Sequence, residues 1–239
     1  MNIKKVVVIG SGTMGSGIAA QIANANIDVT LLDLPSKEGS RNQITENAKE
    51  RIKKSRPPLL VEKNKAELIK VGNIEDDFNE VAEADWVVEA VVERIDIKHN
   101  SYDKIQTTRK NNSIISSNTS TIPLKILSAN MSDEMKKNFC ITHFFNPVRY
   151  MALLEIVTEE VNDIEKINLL KQFCDEKLGK GVIICNDTPG FIGNRIGVYA
   201  MQVAMTEAFK MKISIEEADA VFGRPMGLSL IHISEPTRP

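Results

Sequence analysis

The chain has 239 residues, room for one generous domain or for one domain plus part of another. Lys and Arg number 30 against 32 Asp and Glu, so a net charge of −2 offers no global field for nucleic acid or a membrane surface. No apolar run approaches the roughly 20 residues a membrane helix needs, and Lys4 and Lys5 lead straight into an apolar strand rather than a signal peptide.

Three cysteines, Cys140, Cys174 and Cys185, sit in apolar surroundings without C-x-x-C spacing. They read as buried thiols of a reducing, cytoplasmic compartment. Three histidines without a Cys/His cluster argue against a metal site.

In chain order, Val6-Val7-Val8-Ile9 flows into Gly10-Ser11-Gly12-Thr13-Met14-Gly15, and a helix-like segment, 16–25, follows at once. A glycine triplet alone is a weak signal, and the strand–turn–helix context makes it a strong one for dinucleotide binding. Gly10 permits the tight turn, Gly12 lets backbone approach a pyrophosphate, and Gly15 lets helix and strand pack closely. The next strand, 28–32, ends on Asp33, where such folds place the ribose-binding acid. A carboxylate there accepts from both ribose hydroxyls and repels a 2′-phosphate, which favours NAD over NADP.

Two charged amphipathic segments, 43–54 and 61–69, flank Pro57-Pro58 and are expected to form a helical hairpin. Its cations Lys53, Lys54 and Arg56 suit either a solvated face or an anionic substrate. A buried strand is expected over 86–92, a helix over 94–109, and strands over 113–117, 139–142 and 153–158, the last near the sheet's edge. An amphipathic helix, 164–178, stops at Gly179 before the strand at 182–184. Alternating strands and helices predict an α/β fold, a doubly wound Rossmann-type sheet. From 191 to 222 the pattern is helical throughout, with Ser214 and Glu217 as a capping box.

Ser117-Asn118-Thr119-Ser120 stands at the end of a predicted strand, where open α/β sheets bind ligands, and equally describes a polar helix-capping loop. His143-Phe144-Phe145-Asn146-Pro147 follows another strand, with a histidine able to exchange a proton near neutral pH. Glu155 lies in the apolar run 153–157, where an unpaired carboxylate is costly. A His143–Glu155 couple resolves that cost and orients the ring as the third member of a triad does. Asn194, at the start of the helical segment, either bonds the histidine or a substrate oxygen or faces solvent.

From Met1 to about Gly227 these motifs resemble the 3-hydroxyacyl-CoA dehydrogenases of fatty-acid β-oxidation. The resemblance rests on Gly10–Gly15, Val87–Glu93, Ser117–Ser120, His143–Pro147, and Asp187–Phe191 with Asn194-Arg195. It implies an NAD-dependent oxidoreductase acting on an acyl-CoA, with His143 as general base and Glu155 as its charge partner. Ser120 and Asn194 would position the substrate oxygen and the imidazole. Thr13 and Met14 belong to the cofactor's glycine cradle, Asp33 to the adenosine ribose, Glu93 and Lys98 to its far half, and Asn146 to the nicotinamide and substrate, with Ser120 also counted among the cofactor-binding residues. The near alternatives are acetoacetyl-CoA reduction in the biosynthetic direction and a non-catalytic, NAD-binding structural relative.

The resemblance divides the chain into an NAD-binding domain, 1–186, and the beginning of a helical substrate and dimerisation domain, 187–227. That second domain is expected to be truncated, the full-length protein a homodimer. Segments 146–151 and 223–227 resemble long bacterial relatives that add an enoyl-CoA hydratase domain. Residues 228–239 resemble a translated sequencing-library adapter and are expected not to be native, so His232 enters no site.

Overall fold

A computed structural model describes residues 3–223, in two compact units divided between Pro189 and Gly190. The sequence expectations for 224–239, the adapter-like tail among them, lie outside the described residues.

The first unit is built on eight strands: β1 (Lys5–Ile9), β2 (Asp28–Asp33), β3 (Ile69–Asn73), β4 (Trp86–Glu89), β5 (Ile114–Ser117), β6 (Phe139–Phe144), β7 (Leu153–Val157) and β8 (Gly181–Cys185). They form one sheet in the order β3-β2-β1-β4-β5-β6-β7-β8. The first six run parallel, β7 turns antiparallel to β6, and β8 follows β7 in parallel. The sheet is therefore mixed rather than wholly parallel, and β7 lies one strand inside the edge.

Between the strands lie α1 (Thr13–Asn24), α2 (Gln43–Lys54), α3 (Glu80–Glu83), α4 (Ile95–Thr108), α5 (Leu124–Leu127), α6 (Asp133–Lys137) and α7 (Ile164–Glu176). Val6, Val7, Val8 and Ile9 are all buried, each contributing about 1.5–3 kcal/mol of apolar burial. A strand covered on both faces reads in this way as a continuous β-branched run. Small residues let α1 lie close to its neighbours, and a Cβ at Gly17 would come within 2.8 Å of the Val148 side chain. Trp86 packs edge-on against Phe173 of α7 with ring centres 6.1 Å apart, and its indole N–H donates to Ser116.

Two local expectations are corrected. The second arm of the helical hairpin is only a single 3-10 stretch, Lys63–Leu68, after which the chain forms β3. Ile69 and Lys70 alternate in and out, and Gly72 is a poor helix former, so pairing along β2 prevails. The expected strand over 86–92 ends at Glu89, because the Val91 N–H turns back onto the Glu89 carboxylate at 2.8 Å.

All three cysteines are buried. Burial pushes the Cys140 thiol up to about 12 and the Cys185 thiol to about 11, which keeps both protonated and inert. Among the described residues no helix is long and apolar enough to cross a membrane.

The second unit begins with α8 (Gly193–Met211) and α9 (Ile215–Ala218). Helix is not continuous over 191–222, because Lys212 adopts a left-handed φ of 53° and ends α8. Ser214 and Glu217 form the capping box that starts α9.

Candidate active site

Parallel pairing brings the carboxyl ends of β1, β2, β4, β5 and β6 to one edge of the sheet, where open α/β sheets bind ligands. Gly10 leaves β1 with φ of 102°, a conformation that L side chains rarely adopt, and a Cβ there would stand 2.4 Å from the Ala90 carbonyl oxygen. At Gly15 a Cβ would stand 1.8 Å from the Gly10 carbonyl oxygen, so α1 begins pressed onto the turn. A Cβ at Gly12 would meet no protein atom within 4 Å. The requirement for glycine at that position therefore faces outward, toward whatever approaches the start of α1. Thr13 and Met14 are the first two residues of that helix.

Asp33 ends β2 beside this turn. Its Oδ2 accepts from the Ser11 N–H and hydroxyl, both at 2.6 Å, and Oδ1 accepts from the Leu34 N–H at 2.7 Å. The carboxylate is thus aimed by the glycine turn itself. Gly10, Gly12, Asp33, Leu34 and the 90–92 turn line a cleft of about 450 Å³. An outward-facing helix start, a bare Gly12 backbone and an anchored carboxylate at the rim fit a dinucleotide.

On the far side of β4, Glu93 accepts from the Thr119 hydroxyl, the Thr121 hydroxyl at 3.0 Å and the Ser120 N–H at 3.3 Å. Burial works to raise the Glu93 carboxyl, but hydrogen bonds from Thr119 and Thr121 and the Lys98 charge outweigh it and hold the group below its usual value. Ser120 is half-buried on this segment. Lys98 is fully buried, with its ammonium 2.8 Å from Glu89 and 3.3 Å from Glu93.

His143 and Glu155 are directly opposed in the β6–β7 ladder, and His143 Nδ1 lies 2.7 Å from Glu155 Oε2. Glu155 is fully buried and His143 is 5 % exposed. The Phe145 ring stands 4.5 Å from the imidazole, centre to centre. The Asn118 side chain accepts the Phe144 N–H at 3.0 Å and so ties β6 to the end of β5. Asn146 is exposed, two residues beyond β6. Asn194 is the second residue of α8 and belongs to the second unit.

The strand ends thus gather the glycine turn, Asp33, Glu93, Ser120 and the His143–Glu155 pair onto one unit. Sequence reasoning missed Ser11 as the anchor of Asp33 and passed over Glu89. The latter had a signal, a carboxylate within the apolar run of β4, of the same kind that singled out Glu155.

The sequence model of the 3-hydroxyacyl-CoA dehydrogenase NAD binding domain matches residues 5–188. The chain belongs to the 3-hydroxyacyl-CoA dehydrogenase family. It is 42% identical over 229 residues to a Deinococcus radiodurans protein named as a probable 3-hydroxyacyl-CoA dehydrogenase, covering 95% of this chain and 66% of that one. It is 45% identical over 227 residues to a Rickettsia felis protein provisionally named as a fatty acid oxidation complex trifunctional enzyme, covering 95% of this chain and 32% of that one. The structure of (S)-3-hydroxybutyryl-CoA dehydrogenase from Ralstonia eutropha superposes with a TM-score of 0.73 at 29% identity, over 90% of this chain and 75% of that one. The chain thus spans about a third to two thirds of the length of these two curated relatives. Its first unit carries the family's NAD-binding domain, and the family is one of NAD-dependent oxidoreductases.

Proposed function

We propose that the protein oxidises (S)-3-hydroxyacyl-CoA to 3-ketoacyl-CoA in fatty-acid β-oxidation, with His143 as the general base. The observation that carries this reading is the buried His143–Glu155 pair, 2.7 Å apart on the strand-end edge that also holds the glycine turn. NAD, when bound, supplies the acceptor for the hydride leaving C3.

The remaining roles fall to the chain's own side chains. His143 takes the 3-hydroxyl proton at Nε2, because Nδ1 faces Glu155. Glu155 holds the ring's orientation and stabilises the imidazolium once it forms. The Phe145 ring stands tilted at 59° beside the imidazole, 4.5 Å away centre to centre. Ser120 and Asn194 hold the substrate oxygen and the imidazole, and Asn146 stands by the nicotinamide. Asp33 accepts from the adenosine ribose, while Thr13, Met14 and the three glycines cradle the pyrophosphate. Glu93 and Lys98 meet the cofactor's far half.

The reading extends to a cytoplasmic setting, a homodimer at full length and fusion to an enoyl-CoA hydratase domain. The trifunctional name of the Rickettsia relative supports the last of these. Reduction of NAD by short (S)-3-hydroxyacyl-CoA esters, followed as NADH absorbance in parent, Ser120→Ala and Asn194→Ala chains, tests the assignment. Turnover in the parent with a lowered kcat in both variants is expected. A parent that binds NADH but turns over no hydroxyacyl-CoA would favour the non-catalytic alternative.

A further inference from the structure

The most heavily bonded carboxylate near the cleft belongs to a residue with no role in the reading above. Glu89 is fully buried at the end of β4, opposite Ile9 of β1 and Ser117 of β5. Its Oε1 accepts from the Val91 N–H and the Lys98 ammonium, each at 2.8 Å. Its Oε2 accepts from the Tyr102 hydroxyl at 2.6 Å and the Ser117 hydroxyl at 2.7 Å. Each oxygen thus takes two donors, which fixes the carboxylate in plane and direction. Burial beside this carboxylate drives the Tyr102 hydroxyl well above its usual range, so it remains a donor.

Three of the four donors lead toward the cofactor cleft. Val91 belongs to the turn that lines the cleft and packs against Gly10. Ser117 begins the segment that carries Ser120. Lys98 continues to Glu93, which in turn holds Thr119, Ser120 and Thr121. Glu93 is also where the chain of charges reaches solvent, its side chain being 37% exposed. A buried ion pair is a poor way to gain stability, since apolar residues of similar volume often serve as well or better. Its value here lies in registering three segments that converge on one ligand.

We propose that Glu89 is a positioning residue for NAD, acting through Lys98 to set Glu93 and through Val91 and Ser117 to set the cleft wall and the Ser120 segment. This rests on the reading that the cleft and Glu93 hold NAD. Lys98 accordingly works as the buried link of the chain.

The test is a fluorescence titration of NADH into the full chain, with melting temperature measured in parallel. The variants are Glu89→Gln, Lys98→Met, their double, Asp33→Ala and Ile105→Val. Glu89→Gln and Lys98→Met are each expected to weaken NADH binding roughly tenfold, and the double no more than the worse single. Ile105→Val, a core truncation on α4, is expected to lower the melting temperature and leave NADH affinity unchanged. Affinity within about twofold of the parent in Glu89→Gln and Lys98→Met, whatever their melting temperatures, overturns the proposal. Should Glu89→Gln fail to fold, Lys98→Met alone decides by the same criterion. Unchanged affinity in Asp33→Ala would show instead that the NAD reading of the cleft had failed.

Discussion

His143 and Glu155 face each other across the antiparallel junction that links β6 to β7, and the ladder register alone makes them partners. Directly opposed residues on antiparallel strands have side chains on the same face, about 4.5–5.5 Å apart at Cβ. A slip of one residue would send Glu155 to the other face and leave a carboxylate buried alone. Glu155→Gln keeps the shape and removes the charge that stabilises an imidazolium. The expected result is a fall in kcat of roughly a hundredfold or more with NADH affinity unchanged, measured by steady-state kinetics and titration.

Gly15 and Gly12 of the turn should separate cleanly under substitution. Gly15→Ala places a methyl 1.8 Å from the Gly10 carbonyl oxygen and is expected to destabilise the fold by about 1–3 kcal/mol. Gly12→Ala meets no protein atom. It should melt near the parent temperature yet bind NADH at least roughly tenfold more weakly, because the methyl stands where backbone must approach a phosphate. Calorimetric melting and NADH titration on the two variants check both halves.

Ser11 should matter through Asp33. Two of the three hydrogen bonds that aim this carboxylate come from Ser11. Ser11→Ala removes the hydroxyl and keeps the backbone donor, so a loss of NADH affinity smaller than that of Asp33→Ala is expected. NADH affinity unchanged in Ser11→Ala would contradict an anchoring role.

Acid should loosen the hold of α3 on β1 and β3. Glu80 of α3 accepts from Lys70 at 2.7 Å and pairs with Lys5 at 2.9 Å. Hydrogen bonds from Lys70 and Lys5 hold its carboxyl down at about 2 from an ordinary 4.5. A depressed folded-state value means the stabilisation is fully present above 4.5 and is lost as pH falls from there through about 2. Glu80→Gln should flatten the melting temperature across that window, and an unchanged slope would contradict the assignment.

Legibility in the sequence followed physical demand. The β-branched run before Gly10, the position of Asp33 and the carboxylate in β7 each carry a cost that only one arrangement relieves, and each stood out without coordinates. β3 escapes the sequence reading, which carries helix only to 69, because its alternation is short and its partner, β2, lies far back in the chain. The break at Lys212 depends on a left-handed residue that nothing in a lysine announces. Glu89 is as legible as Glu155, since a carboxylate within an apolar run carries the same cost in either strand. Partners such as Ser11 and Tyr102 are legible only in three dimensions, because common residues become significant through what they touch.

The most direct test of the proposed chemistry is the rate of NADH formation from (S)-3-hydroxybutyryl-CoA by parent and His143→Ala chains, with NADH affinity measured on both. A general base predicts a kcat lowered by roughly 10²–10⁴-fold at unchanged NADH affinity. Turnover by His143→Ala equal to that of the parent would contradict the account.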